Sequence, residues 1–210
     1  MIAEKIISNF VKKIEMLVSA KPALGEKYGK FFYGEMINNE IKLAAVSSGD
    51  KVAHLGCGPF PFTAFELARR GFEVEAIDCD ERALIRAREL AQYYNLTNLI
   101  KFSSGLCQEI DYSNFDAVWV SYNVRPGQQC LAQIVKTMGS KGKIIYREPR
   151  SWLKYFDNRI EARKFFSLPE RGEKNNRSTV NAPLHKGFKG RNTSVDQKVG
   201  KKSVVIEIDS

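Results

Sequence analysis

The stretch Val52-Ala-His-Leu-Gly-Cys-Gly-Pro-Phe-Pro-Phe-Thr63 constrains this chain more than any other, because an apolar segment runs through a glycine-rich turn into a helix. A second apolar segment ends in Ala76-Ile-Asp-Cys-Asp80, which puts Asp78 22 positions after Gly56. Strand, turn, helix, strand and acid in that order make a nucleoside-binding β-α-β unit. Gly56 and Gly58 let the backbone turn tightly and approach a ligand closely, and an acid at the tip of the second strand can accept both ribose hydroxyls. The third glycine of a dinucleotide fingerprint is missing, and Pro59 and Pro61 stand where it is expected. A turn of this kind receives no pyrophosphate at the helix N-terminus, so it suits S-adenosylmethionine better than NAD.

The remaining pattern extends this unit into an α/β fold: a doubly wound, mostly parallel Rossmann-like sheet under an N-terminal helical cap. Ile2, Ile6, Phe10, Ile14 and Leu17 form one stripe of an amphipathic helix over 2–18, and Phe32, Met36, Ile37, Ile41 and Ala44 repeat that spacing over 31–46. Strands are expected at about 51–55, 73–77, 99–103, 116–120 and 143–146, and helices at 61–70, after Asp80 and from Pro126 to Met138. Asp80 is placed to cap the helix whose buried face carries Ala83, Leu84, Ala87, Leu90 and Ala91. The cap takes residues 1–48 and the nucleoside-binding domain 49–210.

Charge divides the chain unevenly. Residues 171–202 hold nine basic residues against two acids, +7 of the chain's +9, and few large apolar side chains. That composition predicts a mobile basic insert; Ser203-Val-Val-Ile-Glu-Ile208 then reads as a final strand, which resembles the antiparallel one that many methyltransferase-type sheets carry. Contact with nucleic acid is possible but not favoured, since no aromatic residues interleave with the lysines. Charged residues interrupt the N-terminal apolar positions and no uncharged run approaches the roughly 18 residues of a membrane span, so a cytoplasmic protein without a membrane segment is expected. Cys57, Cys79, Cys107 and Cys130 are more than 20 residues apart, a spacing that suits reduced thiols rather than a disulfide frame or zinc knuckle. Cys57, Cys79 and Cys107 each follow a strand and read as small fillers around a nucleoside; no metal site is expected.

Three segments carry a family resemblance. Gly56-Cys-Gly-Pro-Phe-Pro-Phe-Thr63 resembles the Gly-x-Gly-Pro-x-Pro-x-Thr turn of the nicotianamine synthase family, especially its compact archaeal members. Phe32-Tyr-Gly-Glu-Met-Ile-Asn-Asn-Glu40 is similar to that family's aromatic-rich helix ending in Asn-Glu, and Ile144-Ile-Tyr-Arg147 to its fifth strand. The resemblance implies a class I methyltransferase-like core that uses S-adenosylmethionine to donate 3-amino-3-carboxypropyl groups. It implies that Gly56, Cys57, Gly58 and Pro59 hold the donor, that Asp78 beside Cys79 takes the ribose, and that Ser121 borders the same site. Glu40, with Tyr33 and Glu35, would face the reacting centre, and Arg147 would contact a carboxylate of donor or acceptor.

The chain also departs from that family. Leu106, after Gly105 and before Cys107, replaces the acid that receives the adenine amino group, so backbone carbonyls near 105–108 are expected to take that role. Glu148-Pro-Arg-Ser-Trp152 replaces a small turn at the acceptor side. The implied partner is a small-molecule amine or amino acid, and Glu40 is the candidate to take its proton. For Arg147, Asp116 or Glu148 serves equally well as a structural partner. His54, inside a strand, reads as a core histidine. Methyl transfer to a small molecule or RNA, and a non-catalytic nucleoside-binding module, remain as the other readings. The oligomeric state is not legible.

Overall fold

Strands with apolar residues on both faces need cover on both faces, and the β-α alternation supplies it. The computed structural model describes residues 29, 33–122, 124–149, 180–184, 188–196 and 201–208. The helix expected at 2–18 lies outside them. In chain order the elements are α1 (Glu35–Ala44), β1 (Lys51–Leu55), α2 (Phe62–Arg69), β2 (Glu73–Asp78), α3 (Glu81–Tyr93), β3 (Ile100–Ser104), β4 (Ala117–Val120), α4 (Gly127–Thr137), β5 (Lys143–Pro149), β6 (Val180–Leu184), β7 (Phe188–Asp196) and β8 (Lys201–Ile208).

The eight strands form one sheet in the order β3-β2-β1-β4-β5-β8-β7-β6. β1 to β5 pair in parallel, and β8, β7 and β6 continue antiparallel from β5. The order reverses between β1 and β4, the crevice where open α/β sheets bind ligands. Crossovers to the left of β1 and to its right place helices on opposite faces.

Two cores follow. On one face α1, α2 and α3 pack Ile37, Phe62, Phe65, Leu67, Leu84 and Leu90 against Val52, Ala76, Trp119, Ile145 and Val205. On the other, α4 packs Cys130, Leu131, Ile134 and Val135 against Ala53, Leu55, Val118, Val120, Ile144, Val204 and Ile206. Strand alternation assigns every residue to its face. The cap helix α1 is held on α2 by Arg70, which donates to Asn38 Oδ1 from Nη2 (2.8 Å) and to the Glu66 main-chain carbonyl from Nη1 (2.8 Å). Asp80 caps α3 by accepting from the Arg82 amide at 3.0 Å.

Within the segment 171–202, expected as a mobile basic insert, the described residues form strands. Its residues 180–184 and 188–196 are strands β6 and β7, and β8 begins at Lys201, two residues before the expected 203. The signal was period two: Phe188-Lys-Gly-Arg191 sets a basic residue at every second position, as a one-sided strand requires, and net charge concealed it. Lysine and arginine are what natural sheets place near an edge, and Pro183 falls in β6, the edge strand, where one ladder needs no N–H.

Candidate active site at the sheet switch point

The cradle starts at Gly56, which has φ +67° and sits where β1 and β4 part. A β-carbon on Gly56 would come 2.6 Å from Val124 Cγ2 and 3.5 Å from Ser121 Cβ, so both the left-handed backbone and the close neighbour require glycine. Gly58 is also left-handed, at φ +66°. The turn binds its own amides: Gly56 and Cys57 donate to the Ile77 carbonyl (2.8 and 3.2 Å), Gly58 donates to Asp78 Oδ2 (2.8 Å), and Phe62 donates to the Phe60 carbonyl (2.8 Å). Prolines at 59 and 61 remove two amides from the segment, and those of Phe60, Thr63 and Ala64 have no partner among the described residues.

Asp78 is anchored at both oxygens, since Oδ1 accepts the Asp80 amide at 3.0 Å. Each carboxylate oxygen has two lone pairs, so each retains one for a further donor. That geometry fits a ribose diol. Next to it, Gly105 donates to the Asp78 carbonyl (3.1 Å), and the Leu106 carbonyl accepts from Glu109 (2.9 Å) to close the loop. Leu106 is 42% exposed and presents an apolar surface at the rim. Tyr112 donates from its hydroxyl to the Cys107 carbonyl at 2.7 Å and ties that loop to the core.

The cysteines have distinct environments: Cys57 and Cys130 are buried, Cys107 is half-buried and Cys79 is exposed. Burial, and then the charge of Asp78, push the Cys57 and Cys79 thiols up. Cys107 and Cys130 share a hydrogen bond that holds Cys107 down, and that bond with burial raises Cys130. All four are free thiols, and no group of three or more His, Cys, Asp or Glu with metal-binding geometry occurs among the described residues.

The second part of the site is a buried polar cluster under α1. Arg147 grips Glu40 with two prongs, Nε to Oε1 (2.8 Å) and Nη2 to Oε2 (2.7 Å). Trp119 Nε1 donates to Oε2 (3.0 Å) and Ser203 Oγ to Oε1 (2.6 Å), so all four lone-pair directions of Glu40 are filled. The remaining Arg147 prong, Nη1, donates to Thr63 Oγ1 at 2.9 Å. Glu40 is 0% exposed and Arg147 4%. Burial works against the guanidinium's charge, but the carboxylate beside it outweighs burial and holds the Arg147 pKa above its ordinary value.

His54 lies on the same face. Its Nε2 is 2.9 Å from Ser121 Oγ, and its buried Nδ1 has no partner among the described residues. Burial, with a smaller push from Arg147, lowers its pKa to about 3, so the ring is neutral.

The sequence-based residues are thus sorted. Gly56, Cys57, Gly58 and Pro59, then Asp78, Cys79, Gly105, Leu106, Cys107 and Ser121, all stand at the C-terminal edge of β1 to β4. Tyr33 is half-buried, its ring centroid 5.9 Å from Phe62, and close enough to Arg147 to act on its charge. Glu35 is exposed, off the buried face of α1, because five residues along a helix turn about 140° from Glu40.

Of the structural partners expected for Arg147, Asp116 accepts instead from the Lys51 amide (2.8 Å), and Arg147 pairs with Glu40. Arg147 alternates with the α4-facing Ile144 and Tyr146, and so points to the face that α1 covers. Sequence reasoning missed Thr63, Trp119 and Ser203 as members of this cluster. Period two was the available signal, since Arg147 is paired directly with Ser203 across β5 and β8.

No family model matches the chain. It is 33% identical over 116 residues to an L-histidine 2-aminobutanoyltransferase of Yersinia pestis, covering 55% of this chain and 43% of that protein. The enzyme of the same name from Pseudomonas aeruginosa matches at 33% over 116 residues, 54% of this chain and 44% of its own. The chain thus spans less than half the length of the curated relatives it matches. Among solved structures, a glutamate-to-glutamine mutant of the nicotianamine synthase MtNAS superposes with TM-score 0.75 at 16% identity, over 99% of this chain and 75% of that one. The same mutant in complex with S-adenosylmethionine gives 0.74 at 18%, over 99% and 76%. An RNA methyltransferase from Salinibacter ruber gives 0.57 at 16%, over 84% and 92%. The chain therefore has the class I methyltransferase-like fold that nicotianamine synthase shares, and over about half its length it is a sequence relative of the L-histidine 2-aminobutanoyltransferases.

Proposed function

We propose that the protein is an S-adenosylmethionine-dependent transferase that moves the donor's 3-amino-3-carboxypropyl group onto an amine or amino-acid acceptor. The observation that carries this reading is the 116-residue relation to enzymes named for aminobutanoyl transfer to L-histidine. The Asp78 cradle, with two lone pairs available to a diol, supports the donor. S-adenosylmethionine is here a substrate, and it supplies an electrophilic carbon next to a sulfonium.

In this reading the acceptor nitrogen forms a bond to the terminal carbon of the aminocarboxypropyl group. The bond from that carbon to sulfur breaks, its electron pair stays on sulfur, and the nitrogen loses a proton. The chain's task is orientation and exclusion of water. Gly56, Gly58 and Asp78 hold the nucleoside, and Leu106 covers the adenine edge. The cap of residues 1–48, through α1, brings Glu40 and Tyr33 to the acceptor side. With its four hydrogen bonds in place, Glu40 has no lone pair for the acceptor. Its proposed part as proton acceptor therefore requires the Ser203 hydroxyl to swing away from Oε1.

No helix among the described residues is long and apolar enough to cross a membrane. The free cysteines support a reducing compartment, and we place the protein in the cytoplasm.

The test is the nucleoside left after turnover. Incubation with S-adenosylmethionine and a panel of amines, L-histidine and other amino acids included, should yield acceptor-dependent 5′-methylthioadenosine. Acceptor-dependent S-adenosylhomocysteine instead would make the protein a methyltransferase, and binding without turnover would leave a nucleoside-binding module.

A further inference from the structure

We infer that Ser121, oriented by His54, is the hydroxyl that receives the carboxylate at the amino-acid end of the donor. This rests on the reading that the cradle binds S-adenosylmethionine, and it assigns a binding role that the glycine turn itself does not fill.

The glycine part of the turn has little to offer a carboxylate. The amides of Gly56, Cys57, Gly58 and Phe62 are all engaged inside the protein, and residues 59 and 61 are prolines. The Phe60 amide and the first free amides of α2, at Thr63 and Ala64, remain, and a side-chain hydroxyl beside the turn adds a further donor. Ser121 is the neighbouring side chain: its β-carbon lies 3.5 Å from where a Gly56 β-carbon would be, at the end of β4 in the switch-point crevice. Its backbone is already engaged, the amide to the Leu55 carbonyl (3.1 Å) and the carbonyl to the Val124 amide (3.1 Å). The half-buried hydroxyl is what remains.

His54 sets the direction of that hydroxyl. Nε2 and Ser121 Oγ are 2.9 Å apart, and one of the two donates. Nδ1 is buried without a partner among the described residues. A buried N–H left without an acceptor is rarer in folded proteins than a buried acceptor left without a donor. The proton of the neutral ring therefore sits on Nε2 and is donated to Ser121 Oγ. With its oxygen receiving from His54, the Ser121 hydroxyl hydrogen is released toward the crevice. The pair makes a donor there and adds no positive charge beside the sulfonium. His54 is a positioning residue and Ser121 the contact.

The experiment is calorimetric titration of the full chain with two probes, S-adenosylmethionine and 5′-methylthioadenosine, which shares the nucleoside and lacks the amino-acid end. Ser121→Ala should weaken S-adenosylmethionine about tenfold or more, the size of a hydrogen bond to a charged group, and leave 5′-methylthioadenosine within about twofold. His54→Phe should reproduce the selective loss at about threefold to fivefold, as the hydroxyl loses its orientation. His54→Gln, whose amide N–H reaches the Nε2 position, should restore it. Equal weakening of both probes, or no weakening by Ser121→Ala, overturns the inference while the donor reading stands. Wild-type protein that binds neither probe removes the donor reading and the inference together.

Discussion

The glycine-turn cradle and the Glu40–Arg147 cluster lie on one edge of one sheet and are built on opposite plans. The cradle is made of main chain: glycine dihedrals, amides turned inward and one acid held by residues 58 and 80, a span of 20 positions for the Gly58 hydrogen bond. The cluster is made of side chains from α1, α2, β4, β5 and β8, and Glu40 reaches 107 positions to Arg147 and 163 to Ser203. The cradle is partly open; the cluster is closed. What the difference teaches is where damage should appear. Losing a cradle group leaves a solvated turn that binds less well, whereas losing a cluster group strands a buried charge.

The sharpest way to break the comparison is at the ion pair. Arg147→Met leaves Glu40 buried and uncompensated, and should cost about 3–5 kcal/mol of unfolding free energy in urea titration. Glu40→Leu combined with Arg147→Met should recover much of that loss, because the stranded charge is gone. Glu40→Gln then separates role from support. If Glu40 takes the acceptor's proton, turnover should fall by about 10²-fold or more, beyond the change in folded fraction measured on the same sample.

Next in size is the acid response of His54. Its pKa is lowered from 6.5 to about 3 in the folded protein, so between those values the unfolded chain binds the extra proton. Stability conferred by the neutral ring is present above pH 6.5 and is lost as pH falls toward 3, at about 1.4 kcal/mol per unit. His54→Phe should remove this slope. By pH 5 wild type should have lost about 2 kcal/mol more than the variant, relative to their difference at pH 7.5.

The cradle should respond in binding and much less in folding. Asp78→Ala removes the acceptor for a ribose diol and should weaken S-adenosylmethionine at least tenfold, by about 1.5–3 kcal/mol per hydrogen bond removed. Because Asp78 also holds the Gly58 and Asp80 amides, the free protein should lose about 1 kcal/mol, well below the loss at Arg147. Calorimetry and urea melts on the same preparations check both numbers. A melt as damaged as that of Arg147→Met would erase the distinction between the two regions.

The smallest effect is expected at Leu106. Exposed at the rim, it presents apolar surface and no hydrogen-bonding side chain. Leu106→Asp should therefore change donor affinity by no more than about threefold, in either direction, because a carboxylate that accepts the adenine amine offsets the apolar cover leucine provides. A mutant that no longer binds the donor would place the adenine elsewhere.

What was legible in the sequence was whatever local chemistry dictates. Gly56 and Gly58 stand where the backbone must turn left-handed, Asp78 ends the second strand, and Asp80 caps the next helix; each is decided within a few residues or one β-α-β unit. The α/β order, the helix at 35–44 within the expected 31–46 and the last strand followed from period and punctuation in the same way, while the antiparallel sense of that strand came from resemblance. The strands in the basic segment escape a reading that weighs charge above the alternation carrying it. Only the tertiary structure decided that Arg147 meets Glu40, that Ser203 and Trp119 close around them, and that His54 meets Ser121. Those choices depend on which strands become neighbours and which face α1 covers. Sequence distance is silent on both, because pairing is set by burying the whole sheet at once.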